Sequence, residues 1–185
     1  MAEPATSAGP LSRASFPTPR QLGATWAYSV DPGDAEEGYA GNGTPALQRS
    51  PQEIVDTAVP FGCDRRARLP QPKHALEVDY TYGDRKAIAV RVRFADAASA
   101  KGFFTGRANN LRDCLGRSGS PAIGPLVDTV SQPAPGAMSS ARTPRSDPWQ
   151  ELAVLDGPDV VLLAVQGVEP LNRPVARRIV TLFRR

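Results

Sequence analysis

The chain has 185 residues, 41% hydrophobic and 22% charged, with a formal net charge of +3. That composition supports a real apolar core and excludes global disorder, despite 19 prolines and 16 glycines. The longest apolar run, Val160-Val161-Leu162-Leu163-Ala164-Val165, is far short of the roughly 20 residues that cross a bilayer. The modest charge, with no aromatic residues interleaved among the arginines, argues against nucleic acid as a partner.

Residues 1–20 carry Pro4, Pro10, Pro17 and Pro19 among small side chains and read as a flexible tether, leaving 21–185 as a single domain. No charged and apolar leader opens the chain. A cytosolic protein, or a chain cut just after a signal or lipid-anchor sequence, would both fit. Residues 21–48 hold Trp26, Tyr28 and Tyr39 among Gly, Asp and Asn, and could drape over the domain with Trp26 as anchor. The acidic run Asp31, Asp34, Glu36 and Glu37 lacks the ligand spacing of a calcium loop and reads as solvated. Ser50-Pro51-Gln52-Glu53 opens a short helix, with Ser50 as N-cap and Glu53 completing a capping box. Pro60 and Gly62 end it before Cys63.

Leu76, Val78, Tyr80 and Tyr82 alternate with Ala75, Glu77, Asp79 and Thr81; beyond Gly83-Asp84-Arg85, Ile88, Val90, Val92 and Phe94 alternate with Ala87, Ala89, Arg91 and Arg93. This is a β-hairpin. A two-residue loop at 83–84 would place Tyr80 opposite Ala87 and mix the two faces, so parity selects a three-residue loop at 83–85, with Tyr80 opposite Ile88, Val78 opposite Val90 and Glu77 opposite Arg91 outside. Leu76, Val78, Tyr80, Ile88, Val90 and Val92 should then be buried together.

Asp96 caps a long helix with an apolar stripe of Ala97, Ala100, Phe104, Ala108, Leu111 and Leu115, stopped by Gly116. Gly102 and Gly106 weaken it on propensity and would permit close approach. One strand is expected at Ala137–Arg142, then a second hairpin of Trp149–Leu155 and Val160–Gln166 across Asp156-Gly157-Pro158. Its second strand is apolar on both faces, as a central covered strand should be. Asn172 caps a final helix that turns Val175, Ile179, Leu182 and Phe183 inward. The order predicts an α+β fold: an antiparallel sheet with the long helix and the C-terminal helix packed on it.

Cys63 and Cys114 admit three readings: unrelated buried thiols, a metal site, or a disulfide. Metal is weakly supported, because the lone His74 brings the ligand count to three at no recognised spacing. The even count favours a disulfide and an oxidising compartment. Its loop of 51 residues would be worth ~4 kcal/mol in the chain-entropy account.

Machinery for catalysis is sparse. His74 stands at a strand start and reads as a surface residue. Gly116-Arg117-Ser118-Gly119-Ser120 lacks the final glycine of a nucleophile elbow and follows a helix. Carboxylates remain: Asp79, Asp84, Asp128 and Glu151 could converge. Arg173, Arg177, Arg178, Arg184 and Arg185 crowd the last helix, as a solvated face or as a contact for lipid headgroups or wall polymer. Arg65, Arg66 and Arg68 would lie near Arg112 and Arg117 if the cysteines are joined.

The hairpin Leu76–Phe94, Asp96-Ala97-Ala98-Ser99-Ala100, Asn110-Leu111-Arg112-Asp113-Cys114 and Trp149-Gln150-Glu151 leading into Val160–Val165 together resemble the PknH-like extracellular sensor domain of actinobacterial receptor kinases and related secreted lipoproteins. The resemblance spans about residues 20–185. It implies a sheet-and-helix domain with a ligand-sized cleft that binds rather than catalyses, without a cofactor. Members usually have two disulfides, and this chain has cysteines for one. The expectation is therefore an extracytoplasmic, secreted or lipid-anchored domain for an unknown small molecule or envelope component. Tyr80, Tyr82, Phe94, Phe104 and Trp149 are its candidate cleft residues. A carboxylate-based envelope hydrolase or transferase, or a docking scaffold, are the alternatives.

Overall fold

The structure, a computed structural model, describes residues 10–30, 33–34, 39–40, 43–58, 63, 68–117, 127–143, 147–167 and 171–184. An eight-stranded antiparallel sheet runs through it. Its strands are β1 (Trp26–Tyr28), β4 (Ala46–Gln48), β5 (His74–Tyr82), β6 (Arg85–Arg93), β7 (Thr129–Ser131), β8 (Ala137–Arg142), β9 (Trp149–Asp156) and β10 (Asp159–Gln166). The order is β1-β5-β6-β10-β9-β8-β7, with β4 also paired to β5. β2 (Gly33–Asp34) and β3 (Tyr39–Ala40) pair separately. Strand β10, apolar on both sides, lies between β6 and β9 at the centre, where alternating polarity would bury charge.

Helices cover both faces. On one, α1 (Pro19–Leu22) and α4 (Arg173–Phe183) pack Leu22, Ala176, Ile179, Val180 and Phe183 against Leu76, Val78, Tyr80, Ala87, Ala89, Val161, Leu163 and Val165. On the other, α2 (Pro51–Thr57) and α3 (Ala97–Asp113) bring Ile54, Val55, Ala100 and Phe103 onto Ala75, Val90, Val92 and Val160. A third cluster, Ala108, Leu111, Cys114, Val127 and Met138, closes the end of α3.

Cover on both faces overturns the expected hairpin register. Tyr80 lies opposite Ala87, Glu77 opposite Val90 and Leu76 opposite Arg91, across a two-residue Gly83-Asp84 turn with Gly83 at φ 63°. Even residues of β5 therefore share a face with odd residues of β6. Leu76, Val78 and Tyr80 lie under α4, while Val90 and Val92 lie under α2 and α3. Arg91, expected outside, is buried. Its Nη1 donates to Asp159 Oδ2 (2.9 Å) and Asp156 Oδ2 (3.2 Å), and its Nη2 to the Phe183 carbonyl (2.7 Å) at the end of α4. Arg93 completes the knot through Nε and Nη2 to Asp159, at 2.8 and 2.9 Å.

The N-terminal boundary also moves. Of the expected tether, residues 10–20 are described, and Leu11 and Phe16 are buried in the α4-side core. Tyr80 fastens this segment: its hydroxyl donates to the Pro17 carbonyl at 2.8 Å. Burial pushes that phenol well above its ordinary pKa. Trp26 meets Tyr80 and Tyr82 edge-on.

Asp96 and Asn172 cap α3 and α4 as expected, accepting from Ser99 N (2.7 Å) and Val175 N (3.2 Å). The bond from Ser99 holds the exposed Asp96 carboxyl below its usual range. The capping box expected on α2 does not form: the Ser50 side chain makes no cap bond and Glu53 instead pairs with Arg49. The stripe of α3 is displaced, with Phe103 and Arg107 buried, Ala97 and Leu115 exposed and Phe104 half-buried. Gly106 allows the chain before β5 to cross the helix, since a Cβ there would stand 2.7 Å from Leu69 Cδ2. Leu69 is itself buried. Gly106→Val should therefore cost about 1–3 kcal/mol by overpacking, read as a lowered thermal midpoint; an unchanged midpoint would show that residues 69–70 move aside freely.

Cys63 and Cys114 are joined, with Cα atoms 5.6 Å apart. The bond ties the chain beyond α2 to the C-cap of α3.

Candidate ligand-binding cleft

A cleft of about 280 Å³ opens on the α2 and α3 side of the sheet. Its apolar lining comes from Ile54 on α2, Ala58 at its C-cap, and Ile88, Val90, Leu162 and Ala164 on β6 and β10. The antiparallel register gathers the strand residues: Ile88 faces Ala164 and Val90 faces Leu162. Trp149 stands at the β9 end, its indole N–H donating to Asp147 Oδ2 at 2.9 Å. Gln166 holds the other oxygen of Asp147 at 2.9 Å. Together these bonds, that of Gln166 first, keep the Asp147 carboxyl below its usual range.

Three arginines and two glutamates supply the charged lining. Glu151 is the hub. Arg107 Nη2 donates to its Oε2 at 2.8 Å, and Ser140 Oγ reaches the same oxygen at 3.4 Å. Arg142 Nε stands 2.9 Å from Oε1, an ion pair whose N–H is not aligned for a hydrogen bond. Farther along, Arg49 Nε lies 3.7 Å from Glu77 Oε2. The Arg107 side chain is only 6% exposed, and its Nε and Nη1 are buried without a hydrogen-bond partner among the described residues. Burial pushes its pKa below the ordinary arginine value; Glu151 pulls it back up, and Arg142 opposes Glu151. The guanidinium stays charged at any working pH, so its surroundings under-compensate that charge.

The structure separates the candidate cleft aromatics. Trp149 lines the cleft. Phe94 is core, 5.2 Å from Phe103 between centroids, and Phe104 packs beside it. Tyr80 and Tyr82 belong to the opposite layer under α4. A cleft lined from both Tyr80 and Phe104 is thus ruled out, because the sheet lies between them. Of the four candidate carboxylates, only Glu151 lines the cleft; Asp84 is in the hairpin turn and Asp128 accepts from Thr143 Oγ1 at 2.9 Å. Among the described residues, no three His, Cys, Asp or Glu side chains gather as metal ligands would.

The arginines of α4 work largely within the chain. Arg177 donates to the Pro133 carbonyl (2.9 Å), Arg178 to Gln21 (3.0 Å), and Arg184 to Leu155 and Pro135. Arg173 lines a small pocket with Leu171 and Ala176. Arg185, Arg65, Arg66, Ser118–Ser120 and most of the acidic run 31–37 lie outside the described residues.

Sequence reasoning passed over Arg107 and Arg142. The signal for Arg107 was present: an arginine four residues from Phe103 and four from Leu111 sits inside an apolar stripe. Helical arginines at stripe edges usually reach solvent along their stems, which disguised it.

The architecture is that of an α+β domain with one antiparallel sheet covered by helices on both sides, a cleft under α2 and α3, and a disulfide closing one end. Among solved structures, it is similar to the extracellular domain of PknH from Mycobacterium tuberculosis, with a TM-score of 0.56 over 92% of this chain and 93% of that one, at 14% sequence identity. The two chains share a fold at that distance. No family model matches the chain, and no curated protein does.

Proposed function

We propose that this protein is a non-catalytic, extracytoplasmic, sensor-like domain of an actinobacterial envelope protein that binds a small ligand in the cleft under α2 and α3. The observation carrying this reading is the cleft itself, an apolar floor with a few convergent polar groups at one end, the usual make-up of a small-molecule site. The disulfide and a fold shared with an extracellular domain support the location. The site's glutamates each stand beside an arginine, an arrangement for holding charge rather than for moving protons.

The test uses Trp26→Phe protein, which leaves Trp149 as the lone tryptophan of the two. Titration with envelope lipid and peptidoglycan fragments should change its fluorescence saturably, with no product detected by mass spectrometry. Ala164→Leu, which fills the floor, should weaken binding at least ten-fold, in line with the loss caused by overfilled cores. Turnover abolished by Glu151→Gln would overturn the non-catalytic reading. Binding untouched by Ala164→Leu would move the site elsewhere.

A further inference from the structure

Arg107 has donors to spare inside the cleft. A guanidinium carries five N–H groups in a planar fork, and here, among the described residues, a single bond to Glu151 engages Nη2 while Nε and Nη1, both buried, have no hydrogen-bond partner. Buried donors left unmade are costly, and an anion that accepts from them relieves that cost. The charges point the same way. Arg49 is answered by Glu53 and Glu77, whereas Arg107 and Arg142 share the single carboxylate of Glu151, so that end of the lining is left one positive charge in excess, which a monoanion balances and a dianion overshoots. The remaining wall is aliphatic plus Trp149 and Thr57, whose hydroxyl donates to the Glu53 and Ile54 carbonyls, so the rest of the ligand is apolar.

Volume sets the size. At the ~30 Å³ that a water occupies in the liquid, a space of about 280 Å³ admits on the order of ten non-hydrogen atoms. That accommodates a short acyl or aryl carboxylate. Resting on the cleft as the binding site, we propose that its ligand is a small single-headed carboxylate with an apolar body, and that Arg107 holds the carboxylate, with Arg142 beside it. Glu151 serves as a positioning residue: it occupies Nη2 of Arg107 and leaves Nε and Nη1 for the ligand.

The experiment is calorimetric titration of the full, oxidised chain with octanoate, octanol, octylammonium and octyl phosphate. Octanoate should bind at least about ten-fold tighter than octanol, the gain of a charge-assisted bond to a desolvated guanidinium, and octylammonium should not bind. Arg107→Gln should abolish the preference, so that octanoate binds no tighter than octanol in the same variant. Because that variant leaves Glu151 with one of its two arginines, Arg107→Gln/Glu151→Gln is the companion, each checked for a cooperative thermal transition; it too should lose the preference. Equal binding of octanoate and octanol, or a preference surviving in both variants, overturns the carboxylate assignment while leaving the cleft as a binding site. Octyl phosphate binding more tightly than octanoate overturns the monoanion argument. If neither octanoate nor octanol binds, this proposal fails, and the fluorescence titration with envelope fragments decides the broader reading separately.

Discussion

Replacing both cysteines, Cys63→Ala with Cys114→Ala, should lower the free energy of unfolding by about 2–5 kcal/mol. The cross-link spans 51 residues of sequence and encloses β5, β6 and α3, so without it the unfolded chain regains the freedom of that entire loop. Alanine is preferred to serine because Cys114 is buried among Ala108, Leu111, Val127 and Met138, where a hydroxyl would be stranded. Urea unfolding followed by circular dichroism is the measurement. The midpoint should fall, and the denaturant slope should rise, since an unlinked unfolded state exposes more surface. An unchanged midpoint would mean that the bond contributes nothing to the fold. A second consequence concerns the cleft. The bond ties the chain beyond α2 to the end of α3, and both helices line the site. Binding should weaken in the variant even at temperatures where it is fully folded.

The second large effect is expected at Asp159. This carboxylate is 4% exposed and answers two arginines, Arg91 at 2.9 Å and Arg93 at 2.8 Å. The bond to Asp159 is also the main cause that raises the pKa of Arg93. Asp159→Ala leaves Arg91, itself 7% exposed, with only the partly exposed Asp156 as counter-charge among the described residues. Breaking a buried pair on one side costs about 3–5 kcal/mol, while replacing both members with apolar groups is often near neutral. Asp159→Ala should therefore be severely destabilised, and Asp159→Ala/Arg91→Met should recover most of the loss. A double-mutant cycle by chemical denaturation measures the difference. If the double variant is as unstable as Asp159→Ala alone, the loss came from the β9–β10 turn and not from the stranded charge. The same cycle tests the docking of α4, because Arg91 Nη2 donates to the Phe183 carbonyl at its end.

What the sequence determined by itself was local. Side-chain alternation marked both hairpins, the two-faced apolarity of Val160–Val165 announced a central strand, and Asp96 and Asn172 marked the starts of α3 and α4, as the cap bonds show. The two cysteines were a pair in the fold as in the count. Each of these depends on a few neighbouring residues and on chain geometry that holds in any context. Tertiary structure decided the rest. Parity can choose a register only when one face of a sheet is buried; with helices on both faces, alternate residues are buried either way, and the tight turn at Gly83 set the pairing. The same layering placed Tyr80 and Phe104 on opposite sides of the sheet. The charged end of the cleft is a tertiary product as well. Arg107 and Glu151 are 44 residues apart, on a helix and a strand, and no local pattern relates them. They meet because the stripe of α3 packs over β9 and β10, and that packing buries an arginine whose charge must be answered inside the protein.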